Sequence, residues 1–376
     1  MGRAHRLVAG LLIALAACGD NLRPASDAGV DAPATDAAAI DTPVPDAAAP
    51  DAAAPDATAD LDAADLDAAD LDASDLDATA ADAGDLDATA ADPDAADLDA
   101  TDLDASATDA AADAPTGPVR LRIVASNLTS GNFQAYELPG RHLLAALAPD
   151  VALMQEWNVG TNTPAELRSF VDTVFGPSFT YARESAAQIP NGVISRYPIV
   201  ASGVWDDPQV TNREFVWARI DVPGTRDLWA VSVHLLTSSA GVRATEAAAL
   251  RAYVAASVPD GDLLVIGGDF NTADRGEAAL TQLAGTVVVT GPYPADQNGN
   301  GFTNAGRTKP YDWVLTDPDL TALGTPLVIG ASTYPSGLVL DTRVYTPLAE
   351  IPPAELSDSA APGMQHMGVA RDFVLP

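Results

Sequence analysis

Residues 118–376 read as one large α/β domain, two packed β-sheets with helices outside, preceded by a long segment that builds no core. Three observations carry this reading. Acids outnumber bases by 53 to 19 over the chain, but only 26 of those acids and 16 of the bases lie in residues 119–376, so the acidity belongs mostly to the first third. All five Trp, eight Phe and eight Tyr fall in that same later part. There, short apolar runs with alternating faces interleave with longer stretches of helical period, the pattern of strands mixed with helices.

Arg3 and Arg6 precede an apolar run from Leu7 to Ala17. A membrane-spanning helix needs about 20 such residues, whereas the core of a signal peptide needs about 7–15. The run ends in "LAAC", with Leu15 three residues and Ala17 one residue before Cys18, the only cysteine of the chain. This resembles a bacterial lipobox. It implies a signal peptide over 1–18, lipidation of Cys18, and a membrane anchor in the cell envelope, at the outer membrane or surface of a Gram-negative bacterium. A single cysteine excludes an intramolecular disulfide.

Residues 19–117 are low in complexity. From Asp60 the chain repeats "DLDAA DLDAA DLDAS DLDAT", placing Leu61, Leu66, Leu71 and Leu76 at intervals of five. Five matches neither the helical nor the strand period, so the leucines share no face. Repelling aspartates without aromatic residues do not bury enough surface to offset the entropy of ordering. The expectation is a disordered, extended spacer between anchor and domain. A calcium-binding repeat is the alternative for so many aspartates, but the turn glycines are missing.

In the domain, strands are expected at 119–127, 151–155, 191–195, 199–205, 214–221, 228–235, 262–267, 312–316 and 369–375. Helices are expected at 138–148, 164–175, 240–257 and 275–284. The 240–257 helix places Val242, Ala249, Leu250 and Val254 on one stripe and Arg243, Glu246 and Arg251 off it, as a covering helix should. "DQNGNG" at 296–301 spaces Asp296, Asn298 and Asn300 like ligands of a calcium loop but lacks the later acidic ligand, and is read as a turn.

Polar residues gather where these strands stop. Asn127 ends the first, Glu156 follows "VALMQ", Asn191 opens "NGVISRYPI" with Arg196 behind it, and His234 lies in "VSVHLLTS". Asp269 and Asn271 close "LLVIGGDFN", Asp312 sits in "KPYDWVL", and His366 in "MQHMGVARDF". Each alone is unremarkable, since Asp and Asn are common turn residues. Together, carboxylates, carboxamides and histidines are the groups that metal-assisted phosphoester hydrolysis requires: hard oxygens for a divalent cation, and imidazoles for phosphoryl oxygens. In an extended "DFN" the side chains of Asp269 and Asn271 would share a side, with Gly267 and Gly268 easing a tight turn.

The segments "LMQE", "GVISRYPI", "VSVHLLTS", "GGDFNT", "KPYDWVL" and the terminal His-containing strand resemble, in order, the endonuclease/exonuclease/phosphatase superfamily. The resemblance spans residues 119–376. It implies a four-layer, deoxyribonuclease I-like sandwich of two β-sheets flanked by helices, with the site at one edge. It implies a divalent metal, Mg²⁺ with Mn²⁺ or Ca²⁺ as alternatives, on Asn127 and Glu156. It further implies Asp269 acting on the attacking water and Asn271 on the phosphate. His234 and His366 would meet phosphoryl oxygens, Asp312 would orient His366, and Asn191 and Arg196 would contact substrate. Where the family has an Asp before the last His, this chain has Gln365, expected as a neutral metal ligand, with Asp358 as a substitute acid if its loop folds back.

The reading is therefore a metal-dependent phosphoester hydrolase, nuclease-like, tethered to the envelope. Nucleic acid and phospholipid both remain open as substrates. Sixteen scattered bases against 26 acids do not make the basic face that duplex DNA favours. A sphingomyelinase-type enzyme would carry an exposed aromatic hairpin for docking to bilayers; the sequence shows no contiguous aromatic cluster of that kind, and Trp205, Phe215 and Trp217 are the nearest candidates. A stalked, non-catalytic binding module with an eroded site is the alternative from another class, resting on Gln365 alone. Nothing in the sequence calls for an obligate protein partner.

Overall fold

The computed structural model describes residues 117–131 and 134–376. The lipobox at Cys18 and the Asp/Ala-rich segment lie outside the described residues.

Every strand and helix expected from periodicity is present, with edges shifted by a few residues. The first half runs β1 (Val119–Ser126), α1 (Leu138–Leu147), β2 (Val151–Met154), α2 (Pro164–Val174), β3 (Thr180–Arg183), β4 (Gly192–Ser195), β5 (Ile199–Trp205) and β6 (Phe215–Ile220). It continues with β7 (Leu228–His234), α3 (Ala240–Ser257), β8 (Leu263–Asp269), α4 (Ala278–Leu283), β9 (Asp312–Thr316) and α5 (Pro318–Ala322). The end holds β10 (Gly324–Thr325), β11 (Leu327–Ile329), β12 (Ser332–Tyr334), β13 (Leu338–Leu340) and β14 (Gly368–Leu375). Helix α4 starts three residues later than expected. Asp274 accepts from the Gly276 amide at 2.7 Å and Glu277 from the Ala273 amide at 2.8 Å, which holds 273–277 in a turn.

Two sheets form. One orders its strands β10-β14-β1-β2-β4-β3, with β13 also paired to β14; the other runs β5-β6-β7-β8-β9. Strand alternation sorts the apolar residues into three layers of contact. Val124, Ala152, Met154 and Ile194 pack against Leu143 and Leu147 of α1 and Phe170 of α2. Leu121, Ile123, Ala125, Val151 and Leu153 face Val216, Ala230, Val265 and Val314 across the gap between the sheets. Val231, Leu264 and Ile266 meet Ala247 and Leu250 of α3 and Leu280 of α4. Helices, sheet, sheet, helices is the four-layer sandwich.

Helix α3 departs from its expected pattern. Leu250 and Val254 are buried, but so are Arg243 and Glu246, while Val242 and Ala249 are only half-buried. Both polar side chains are buried because they have partners. Arg243 donates to Glu277 at 2.6 Å and to the Leu236 and Thr237 carbonyls at 2.9 Å each, and Glu246 accepts from the Leu236 amide. Both bind the loop that follows β7.

Gly267 and Gly268 lie inside β8, not in a turn after it. A Cβ on Gly267 would sit 2.7 Å from Leu153 of the facing sheet, so this glycine permits the sheets to approach. Gly268 has φ +134°, a conformation that side chains avoid, and its Cβ would meet the Val233 carbonyl. The "DQNGNG" segment is a turn closed by protein. Asp296 accepts from the Asn298 and Asn300 amides at 2.8 and 2.9 Å and from Arg307 at 2.8 Å, so a guanidinium stands where a cation would.

Candidate active site

The strand face that builds the core between the sheets also supplies the site. Leu228 and Ala230 of β7, Leu263 and Val265 of β8, and Val314 of β9 belong to that core. Continuing each strand by the period of two brings His234, Asp269 and Asp312 onto the same face at the strand ends. Register then sets them side by side: His234 is opposite Asp269, and Asp269 is opposite Asp312. From the other sheet, Asn127 follows β1, Glu156 follows β2, and His366 precedes β14.

The side chains converge and all are buried. Oδ2 of Asp269 lies 3.4 Å from Nε2 of both His234 and His366. Nδ1 of His366 bonds Asp312 Oδ2 at 2.8 Å, and the other oxygen of Asp312 accepts from the Asn127 amide at 3.1 Å. The Thr129 hydroxyl contacts Asn127 Oδ1 at 3.1 Å and Glu156 Oε2 at 3.2 Å, and Gln134 donates to Glu156 Oε1 at 3.3 Å. Nδ1 of His234 is 3.9 Å from Glu156 Oε1. Glu156, Asn271 and Gln134 hold positive φ values of 49°, 52° and 57°, conformations uncommon for side chains outside glycine.

Asn271 differs from the extended geometry expected of it. With the backbone in the left-handed region it does not simply repeat the direction of Asp269. Its amide donates to Asp269 Oδ1 at 3.0 Å and its Nδ2 to the Leu235 carbonyl at 3.0 Å, so it positions the carboxylate.

Burial and neighbouring charge set the protonation. Burial pushes the Asp269 carboxyl up to about 7, aided by Asp312 and Glu156 and opposed by His366. Burial alone would lower the His366 imidazole. The Asp312 and Asp269 carboxylates outweigh it and carry His366 up to about 10. For His234, burial and then the charges of Arg213 and His366 act together and hold it well below the usual histidine range. One imidazole is therefore a cation at neutral pH and the other is neutral.

Other residues expected in the site are placed elsewhere. Arg196 bonds Asp150 at 3.1 Å. Asp150 precedes β2 and Glu156 follows it six residues on, so roughly 20 Å of extended chain separates Arg196 from the cluster. Gln365 is exposed although its neighbour His366 is buried, so it stands outside the buried cluster. Asp358 does not fold back to replace it; it bonds His142 of α1 at 3.2 Å and accepts the Glu355 amide. Asn191 continues the register beside Gln155, one residue from Glu156, but its Nδ2 turns to the Glu214 carbonyl at 2.6 Å and its Oδ1 is buried without a partner. Trp205 and Phe215 are buried, and Trp217 stacks between Trp205 and Trp229 with Tyr253 of α3 beyond, so these aromatics form core.

Sequence reasoning missed Arg213 and Thr129. Arg213 is 1% exposed, donates through Nε to the His234 carbonyl at 2.5 Å, and leaves Nη2 unbonded. The one signal available was a base in "TNREF", at the mouth of a strand rather than on a polar face.

The donor set fits a hard divalent cation. Asp269, Asp312 and His366 offer ligand atoms within 4.8 Å of one another. Carboxylate and carboxamide oxygens of Glu156 and Asn127 lie alongside, and both ring nitrogens of His234 are buried without a hydrogen bond. Orphaned buried nitrogens beside clustered oxygens are what a site built for an ion and an anionic substrate leaves open.

The sequence matches the model of the endonuclease/exonuclease/phosphatase family over residues 141–358. The chain belongs to this family. The match contains Glu156, His234, Asp269, Asn271 and Asp312, whereas Asn127 and His366 lie beyond its ends and are placed by geometry. Membership makes the protein a hydrolase of phosphoesterase type. No curated protein matches the sequence. Similar solved structures include a family protein from Beutenbergia cavernae DSM 12333, 18% identical with a TM-score of 0.47 over 68% of this chain and 72% of that one. A family protein from Bacteroides vulgatus is 16% identical, with a TM-score of 0.47 over 69% of this chain and all (100%) of that one. Sphingomyelinase C from Streptomyces griseocarneus is 17% identical, with a TM-score of 0.43 over 68% and 99%.

Proposed function

We propose that this family member is a Mg²⁺-dependent phosphodiesterase, nuclease-like in mechanism, held at the cell envelope by a lipid on Cys18. The observation that carries the catalytic part is the buried Asp269 carboxylate, 3.4 Å from two imidazoles in opposite protonation states.

Asp269, raised to about 7, takes a proton from the attacking water near neutral pH, where a base of matched pKa works best. Asn271 and the strand register hold that carboxylate in position. His366, kept cationic by Asp312, places an N–H and a positive charge against a phosphoryl oxygen. Neutral His234 presents a second ring nitrogen to the same space, fixed from behind by Arg213 on its carbonyl. Asp312 and His366 satisfy each other, so the metal falls to Glu156 and Asn127, whose oxygens meet at the Thr129 hydroxyl. When bound there, Mg²⁺ supplies positive charge against the phosphate and acidifies a water. The buried state of Trp205 and Phe215 favours a phosphodiester in solution or in nucleic acid over one in a bilayer.

Purified protein is offered plasmid DNA, RNA, sphingomyelin and bis-p-nitrophenyl phosphate with Mg²⁺, Mn²⁺, Ca²⁺ or EDTA. Turnover is expected with Mg²⁺, lost in EDTA, and reduced about 10²–10⁴-fold in Asp269→Ala. Turnover that survives EDTA or the substitution refutes the mechanism. In the source cell, radiolabelled palmitate is expected on the wild-type chain and absent from Cys18→Ala.

A further inference from the structure

Between the open edges of the two sheets, beside β9 and β14, lies a cleft of about 270 Å³ that shares only Asp312 with the catalytic reading. That is near the lower limit of ordinary ligand pockets, which run roughly 300–1,000 Å³. Strand alternation explains one of its walls. Val369 and Phe373 of β14 face the core between the sheets, so Arg371, midway between them, faces it too. At the sheet edge the partner layer stops, and the guanidinium emerges into the cleft.

Arg371 donates through Nη1 to the Val314 carbonyl at 3.0 Å and to Thr316 Oγ1 at 3.4 Å. It makes no ion pair among the described residues, and burial alone, with no carboxylate to offset it, holds the group down at about 10. A second arginine lines the cleft. Arg275 lies over the Tyr293 ring at 4.1 Å and donates to the Gly301 carbonyl, its Nε is buried without a partner, and it too has no acidic partner among the described residues. The two acids on the lining are already engaged, Asp312 by His366 and Asp372 by Arg122. The cleft thus carries positive charge without compensation, next to an apolar wall that includes Trp313 in edge contact with Tyr293. Buried charge is retained where it is paired, and here the missing partner is an anion.

We propose that this cleft binds a small organic anion, its charged group on Arg371 and Arg275 and an apolar body of about one ring against Tyr293 and Trp313. The cleft touches the catalytic cluster at Asp312 alone, and its two arginines stand apart from that cluster. Arg371 bonds Val314 and Thr316, two and four residues along β9 from Asp312, or roughly 7–13 Å by strand rise.

The test is calorimetric titration of the full chain with benzoate, phenylphosphonate, and the neutral isostere benzamide, each in EDTA. Saturable binding of one or both anions is expected, with benzamide about tenfold weaker or more, the worth of a charge-assisted hydrogen bond. Benzoate alone or phenylphosphonate alone identifies the head group as carboxylate or phosphate. Arg371→Met is expected to reduce that affinity by at least about tenfold while Asp269→Asn leaves it intact. Arg275→Gln gives the same reading at the rim if Met at 371 unfolds the sheet edge. Equal binding of benzamide, unchanged affinity in both arginine variants, or loss in Asp269→Asn overturns the proposal.

Discussion

Replacing Glu246 by Gln removes a proton that the folded chain holds and the unfolded chain releases. The Glu246 carboxyl sits in the middle of α3 with no exposure, takes the Leu236 amide on both oxygens at 3.2 and 3.0 Å, and lies beside Asp207, also fully buried. Burial, then the charge of Asp207, pushes Glu246 up to about 8, and burial raises Asp207 as well. A carboxyl raised on folding binds its proton in the native state between its unfolded and folded pKa values. Its stabilising effect is therefore complete below about pH 4.5 and is lost as pH rises towards 8. At about 1.36 kcal/mol per pKa unit the ceiling is roughly 5 kcal/mol, and because one proton serves two carboxyls the expected loss is about 2–4 kcal/mol. Gln is neutral throughout and accepts from Leu236, so Glu246→Gln should lose about 2–4 kcal/mol less than the wild type over the same interval. Glu184, also raised to about 8 by burial, titrates in both proteins and cancels from the difference. Urea unfolding at pH 5, 6.5 and 8, followed by fluorescence of the Trp205–Trp217–Trp229 stack, reads the two slopes. Parallel slopes would refute the assignment of the buried proton.

Two further outcomes follow from the site. Asp312→Asn removes the strongest charge that holds His366 above the ordinary histidine range, so burial prevails and the ring becomes neutral near pH 7. In EDTA, ring NMR of the four histidines should show wild-type His366 cationic through pH 8 and the variant's neutral there; an unchanged titration sinks the role given to Asp312. Gly268→Ala forces a side chain to φ +134° and against the Val233 carbonyl, and should cost about 1–3 kcal/mol or more, with activity lost through displacement of Asp269. A variant as stable as wild type in chemical denaturation contradicts that account.

Strand and helix positions were legible in the sequence because period and apolar content are local properties, and the nine expected strands and four expected helices all form. So was the habit of polar residues at strand ends, since a buried run that stops in Asn, Asp or His declares itself without reference to its neighbours. The short strands β3 and β10–β13 and helix α5 were not legible. β3 is an edge strand with no buried residue to mark it, β10 and β13 are held by β14 far along the chain, and β11 and β12 only pair with each other. Only the tertiary structure decided which polar residues meet. Arg196 and Asn127 are equally polar strand-end residues, but the β2–β4 register carries Arg196 to the far end, beside Asp150. Arg243 and Glu246 look like the solvent face of a helix until Glu277 and the Leu236 amide bury them. Gly267 looks like a turn residue until Leu153 arrives from the other sheet. Sequence fixes what each segment tends to form, because that preference is set within a few residues. Packing decides burial, charge state and proximity, because those depend on what the other sheet brings to the same point.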